Sequence, residues 1–183
     1  MEANRIKTLQ TTLPRGAPLD TATLAGLGIS AALAHEYVKA GWLEKLGRGV
    51  FMFAGDDLQR YEILRFLESR IPGLHVAAKT ALAWHGFRHN VAVAETTILW
   101  GEHRTDLPAW FQDRFPARYS SSRLFEDELP TGTGITAMPE FPNGPRISSP
   151  ERALLEMLSE VGVYQEFEEA RAIMENVRQL RSR

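Results

Sequence analysis

No cysteine occurs among the 183 residues. Disulfides and thiolate metal sites are thereby excluded, and the composition is compatible with a reducing compartment. No apolar run is long enough to cross a bilayer. The opening MEANRIKTLQTTLPRG lacks both the basic flank and the unbroken apolar stretch of a signal peptide. A cytoplasmic protein with no membrane partner is expected. Lysine is scarce, and none follows Lys79. A metal-dependent nuclease core often follows an acidic strand residue with Glu-x-Lys. Glu95 and Glu102 flank an apolar run, but the lysine is missing, and arginine does not replace it as base or ion-pair partner. An excess of one charge sign is lacking too: the net charge is −2. Residues 1–55 carry six Lys/Arg against four acids, and the remainder carries 15 against 19. That asymmetry permits a local DNA-binding face without demanding one.

What the sequence does have is a 44% apolar composition, enough for a sizeable core. Ile6, Leu9 and Leu13 share a face at helical spacing, predicting a first helix over 5–13 that ends before Pro14. Asp20 or Thr21 can cap a short second helix carrying Leu24 and Leu27, closed by Gly28. Ser30 can cap a third, Ala31 to Ala40, ended by Gly41. On it Leu33, Tyr37 and Val38 point inward, while Ala32, His35, Glu36 and Lys39 share the opposite face. Two strand-like runs follow, Trp42–Leu46 and Val50–Phe53, with Gly47-Arg48-Gly49 as the turn. Trp42 is expected to fill the space beneath this hairpin. Two helices joined through Gly28-Ile29-Ser30 match a helix-turn-helix, and a hairpin after them is the winged helix order. An arginine between two glycines at the tip suits a fixed cation beside phosphates or in a narrow groove.

Gly55-Asp56-Asp57 marks the expected boundary, giving a winged helix domain over 1–56 and an α+β domain over 57–183. In the second, helices are expected over 76–86, from Pro150, and from Val163 to Leu180, besides one through Tyr61, Leu64 and Leu67. Thr96–Trp100 reads as a buried strand; 117–125 and 134–138 are weaker strand candidates. Other constellations carry little. His85 and His89 stand four apart, but Gly86 ends the helix between them and no carboxylate completes a metal set. Ser120-Ser121-Ser122 has no nucleophile elbow, and Gly132-Thr133-Gly134 is not a phosphate loop. No catalytic residue, metal or cofactor is assigned, and the chain is not read as an enzyme.

The segments Leu13–Gly16, Leu27–Ser30, Tyr37–Leu43 and Gly47–Phe51 together resemble the N-terminal winged helix of the AbiEi antitoxin family. The likeness continues in HVAAKTALAWHG (75–86), LPAWF (107–111) and SSPERALLEML (148–158). It implies a DNA-binding antitoxin that represses its own toxin–antitoxin promoter through inverted repeats. It also implies a second region that counteracts a nucleotidyltransferase toxin, functionally and without a required stable contact. Larger relatives continue with a basic segment, whereas this sequence stops at Arg183; it is expected to be a fragment or a shorter form. Helix 31–40 would read the major groove through Ala32, His35 and Lys39. Ser30 would hold a phosphate at its backbone N–H, Arg48 would reach the flanking groove, and Arg15 and Lys45 would contact the DNA backbone. The alternative is a winged helix that docks a protein, with the α+β region binding the toxin directly.

Overall fold

The computed structural model describes residues 2–87, 96–125, 129–130, 132–138 and 140–180. Its contacts divide the chain into two units, Met1–Phe66 and Leu67–Arg183. In the first unit the order is α1 (Glu2–Thr12), β1 (Leu19–Asp20), α2 (Thr21–Gly26), α3 (Ala31–Lys39), β2 (Leu43–Gly47) and β3 (Val50–Phe53). The strands form one antiparallel sheet in the order β1-β3-β2. Ile6, Leu9, Leu19, Leu24, Ile29, Ala34, Tyr37, Leu43, Phe51 and Phe53 make the core. Each large aliphatic among them contributes about 1.5–3 kcal/mol by leaving water. The Asp20 carboxylate accepts from the Thr23 N–H and caps α2, and the Ser30 hydroxyl accepts from the Leu33 N–H and caps α3. Such caps contribute about 1 kcal/mol each.

Three details differ from expectation. Strand β1 is two residues long, too short to leave a period, and exists only because Leu19 and Asp20 pair with Phe51 and Val50. Trp42 does not fill the space beneath the hairpin: it is 48% exposed, whereas Leu43 beside it is 2% exposed. Successive residues of an extended chain face opposite sides, so seating Leu43 inward turns Trp42 out. The division between the units falls after Phe66 rather than after Asp56. The Gln59 N–H donates to the Gly16 carbonyl at 2.8 Å, tying the chain beyond Asp57 to the first unit. Gly16 has φ +71°, and a Cβ there would lie 2.6 Å from the Asp57 carbonyl oxygen, so this approach requires glycine.

Helix α4 (Arg60–Glu68) carries the chain across the division. The second unit then runs β4 (His75–Val76), α5 (Ala78–Trp84), β5 (Thr97–Trp100), α6 (Ala109–Gln112), β6 (Ala117–Ser120), β7 (Ile135–Met138), β8 (Phe141–Ser148), α7 (Pro150–Ser159) and α8 (Phe167–Leu180). Its five strands are ordered β6-β5-β4-β8-β7. Strands β5 and β6 are parallel, as are β4 and β8, and the remaining pairs are antiparallel. All of β5 is buried, and helices α5 and α7 pack together. The α+β class expected from the sequence is the one observed.

Boundaries shift for local reasons. The helix expected over 76–86 begins at Ala78, because His75 and Val76 pair with Trp100 and Leu99 as β4. The last helix begins at Phe167 rather than Val163, after a turn closed by the Gly162 N–H on the Gln165 carbonyl. Strand β6 stops at Ser120, short of residue 125. Strand β8, with its two prolines, asparagine and glycine, and the short α6 carried no recognisable pattern in sequence.

Candidate functional site

Helix α3 runs outward from Ser30 to Lys39, the chain turns at Gly41-Trp42, and β2 runs back. The hairpin tip therefore returns towards the end of the unit where α3 begins. Two contacts anchor it. The Thr21 N–H, at the start of α2, donates to the Gly49 carbonyl at 3.1 Å. The His35 ring meets Phe51 edge to face, with centroids 5.8 Å apart. Phe51 lies two residues from Gly49, about 7 Å of extended chain.

Gly47 pairs with Val50, leaving Arg48 and Gly49 as the turn itself. Gly49 takes φ +68°, a left-handed value at which a side chain would be strained. Arg48 is exposed, and among the described residues it has no ion-pair partner. Lys45 is directly opposite Phe51 in the register, hence on the face of the sheet that α3 covers, and it is exposed. Ser30, Ala32, His35 and Lys39 are exposed along α3.

Two of the seven expected residues are already held in ion pairs. The Lys39 ammonium donates to Glu36 at 2.9 Å, so its charge is matched on its own helix. Arg15 is held by Asp56: its Nε donates to the carboxylate at 2.8 Å, a terminal nitrogen pairs with the same group, and the guanidinium lies 5.3 Å from the centroid of the Phe53 ring. Asp56 also accepts from the Gly16 N–H at 2.9 Å. The hydrogen bond from Arg15, aided by the Gly16 N–H and by Arg15's charge, outweighs burial and holds the Asp56 carboxyl below its ordinary range. Arg15 thus fastens the segment after the hairpin to the segment before β1. We expect Arg15→Ala to lower the denaturation midpoint of the first unit while changing DNA affinity by no more than about twofold, since a charge already paired adds little. A loss of affinity as large as that of an Arg48 variant would instead place Arg15 at the phosphates.

The second unit holds a polar cluster that sequence reasoning missed. Glu156 on α7 is 0% exposed and His75 on β4 is 2% exposed. The Glu156 carboxylate accepts from His75 Nε2 at 3.1 Å, the Ala78 N–H at 3.1 Å, the Ser148 hydroxyl at 2.7 Å and Arg152 Nε at 2.7 Å. It thereby satisfies the first N–H of α5, whose Ncap residue Ala77 has no side chain to do so. The only available signal was Arg152 four residues before Glu156, which reads as an ordinary surface pair.

Beside this cluster opens a cavity of about 690 Å³, whose walls include Trp100, Glu102, Arg123, Phe125, Arg152 and Leu155. Among the described residues no group of three or more metal-ligating side chains occurs. His85 Nε2 donates to the Ser148 carbonyl at 2.9 Å, and His89 and Glu95 lie outside the described residues. Ser120 and Ser122 contact each other through their hydroxyls at 3.4 Å.

Three helices closed by a small antiparallel sheet, with a two-residue hairpin tip beside the second helix, define the first unit as a winged helix-turn-helix. A second, α+β unit follows it. Comparison with protein families matches residues 2–93 to the N-terminal domain of the AbiEi antitoxin transcriptional regulators. It matches residues 94–183 to the AbiEi antitoxin transcriptional regulators of type IV toxin–antitoxin systems. The chain belongs to this AbiEi antitoxin family. Among solved structures, the crystal structure of the RV2827C protein from Mycobacterium tuberculosis is similar, with a TM-score of 0.53 at 16% identity over 83% of this chain. At that identity the likeness concerns the fold, and this chain spans 58% of the length of that one. No curated protein matches the chain. Among the described residues no helix is long and apolar enough to cross a membrane.

Proposed function

We propose that this antitoxin binds duplex DNA of its own promoter, at inverted repeats, through the first unit, and represses its operon in the cytoplasm. The observation that carries the reading is Arg48, without an ion-pair partner among the described residues, at a glycine-flanked turn anchored next to α2 and close to the exposed face of α3. A recognition helix in the major groove, with a cation beside it for the neighbouring groove, is how this class of fold meets DNA. Ser30 supplies the start of α3 for a phosphate, Ala32 and His35 face the bases, and Lys45 lies towards the DNA backbone. Lys39 would reach a base only by leaving Glu36. The second unit is assigned the antagonism of a nucleotidyltransferase toxin, as in the family resemblance, with no catalytic or cofactor role.

The test is a titration of the upstream DNA at several salt concentrations. If Lys45 meets a phosphate, Lys45→Ala should reduce the slope of log affinity against log salt by about one unit. An unchanged slope removes Lys45 from the contact. A second reading is favoured by one observation: Val163, Tyr164 and Phe167 are 71%, 67% and 65% exposed within five residues of one another. Such an apolar cluster suits direct docking of the toxin. Stable co-purification of toxin with this chain, together with no binding of promoter DNA at moderate salt, would favour that reading over repression.

A further inference from the structure

We infer that the DNA-binding face selects A·T-rich duplex, with thymine methyl groups met by Ala31 and Ala32 and a narrow minor groove met by Arg48. The inference rests on the DNA-binding reading above and concerns what that face recognises.

The side chains that discriminate bases by paired hydrogen bonds are arginine or lysine for guanine and asparagine or glutamine for adenine. The exposed positions of α3 are Ala31, Ala32, His35, Glu36 and Lys39. None is arginine, asparagine or glutamine. Glu36 and Lys39 are bonded to each other at 2.9 Å, so reading guanine with the lysine, or cytosine with the glutamate, requires breaking that pair. What remains in the N-terminal half, where a recognition helix enters the groove, is two methyl groups and an imidazole.

Side chains this short let the helix approach the groove floor closely. The thymine methyl is the one apolar group that any base pair displays in the major groove. Removing one contacted methyl from water changes affinity by about fourfold. The His35 ring is fixed edge-on against Phe51, at 81° between ring planes. It can bond the N7 acceptor that adenine and guanine share, so it distinguishes purine from pyrimidine and not A·T from G·C.

The wing points the same way by an independent route. Its tip is held by the Thr21 N–H on the Gly49 carbonyl at 3.1 Å, and it offers one side-chain cation, Arg48, between two glycines that allow close approach. A single cation gains most in a minor groove narrowed by A-tracts, where the potential is most negative. A guanine amino group there would obstruct it.

The experiment uses the full chain and a randomised duplex pool, followed by atom-level changes to the selected duplex. Selection is expected to return A·T-rich half-sites. Replacing thymine by deoxyuridine at the positions facing α3 should weaken binding about fourfold per contacted methyl. Replacing flanking adenines by 2,6-diaminopurine, which adds an amino group to the minor groove, should weaken the wild type severalfold and leave Arg48→Ala unaffected. These changes lie in the DNA, so misfolding of a variant cannot imitate them. A G·C-rich consensus, or deoxyuridine without effect, overturns the inference while leaving DNA binding intact. Failure to select any duplex overturns the DNA-binding reading itself, and this inference with it.

Discussion

Glu156→Ala is expected to destabilise the second unit by about 3–5 kcal/mol, the range seen when one partner of a buried charged pair is removed. The residue is fully buried, and four donors converge on it: His75, the Ala78 N–H, the Ser148 hydroxyl and Arg152. Alanine would remove the acceptor of all four, of which His75, Ala78 and Ser148 are buried, and each orphaned buried group costs about 1–3 kcal/mol. The expected loss is a large part of the stability of an ordinary domain. Tryptophan fluorescence during denaturant unfolding provides the measurement, because Trp100 and Trp110 are buried within the unit. A loss below about 1 kcal/mol would mean that water or repacking satisfies the four donors, and the hub account would be abandoned.

The same carboxylate sets a pH dependence. Burial raises its pKa, but the hydrogen bond and charge of His75, with the hydrogen bonds of Arg152 and Ser148, outweigh that and hold it below its ordinary value. Its folded-state pKa is therefore below the unfolded one, so the unfolded chain takes up the proton first. The stabilisation is present above the ordinary carboxylate range and is lost as pH falls through the folded-state value. Stability measured from pH 7 downwards should show this acid limb in the wild type and a flatter one in Glu156→Gln. Equal limbs in the two proteins would assign the acid sensitivity to other groups.

Arg48→Ala is expected to weaken operator binding by about ten- to a hundredfold, the equivalent of one charge-assisted hydrogen bond. The fold should not change, because the side chain is exposed and among the described residues contributes to no ion pair. The turn itself is maintained by Gly49 and by its link to Thr21, neither of which is altered. Arg48→Lys should recover part of the affinity, since it keeps the charge and loses the planar fork. Titration of the upstream duplex against the three proteins, with unchanged thermal midpoints as the control, decides the matter. If affinity survives the alanine substitution, the wing leaves the account and a protein-docking role for the first unit gains the ground it loses.

Legibility differed between the two units. In the first, the signals were local: an Asp20 cap, a Ser30 cap, Gly28 after the second helix, a glycine-flanked turn. Capping and turn chemistry act within four residues, so they can be read from neighbours in the chain. The size of Trp42 suggests a core role, but the alternation that begins at Leu43 places it outside. In the second unit, β4 and β8 are parallel neighbours that pair at Val76 and Ile147, far apart in the chain. Nothing near either residue announces that pairing, and the composition of β8 argues against a strand.

The candidate sites divide along the same line. Sequence alone determined which residues offer charge and which helix face offers small side chains, because composition and period are properties of neighbouring residues. It also showed the chain's resemblance to its family. Only tertiary structure decided which of those groups already had partners. Arg15 is engaged by Asp56 across 41 residues, and His75 by Glu156 across 81. Electrostatic pairing and desolvation depend on distance in space, which the order of residues does not specify until the core has closed.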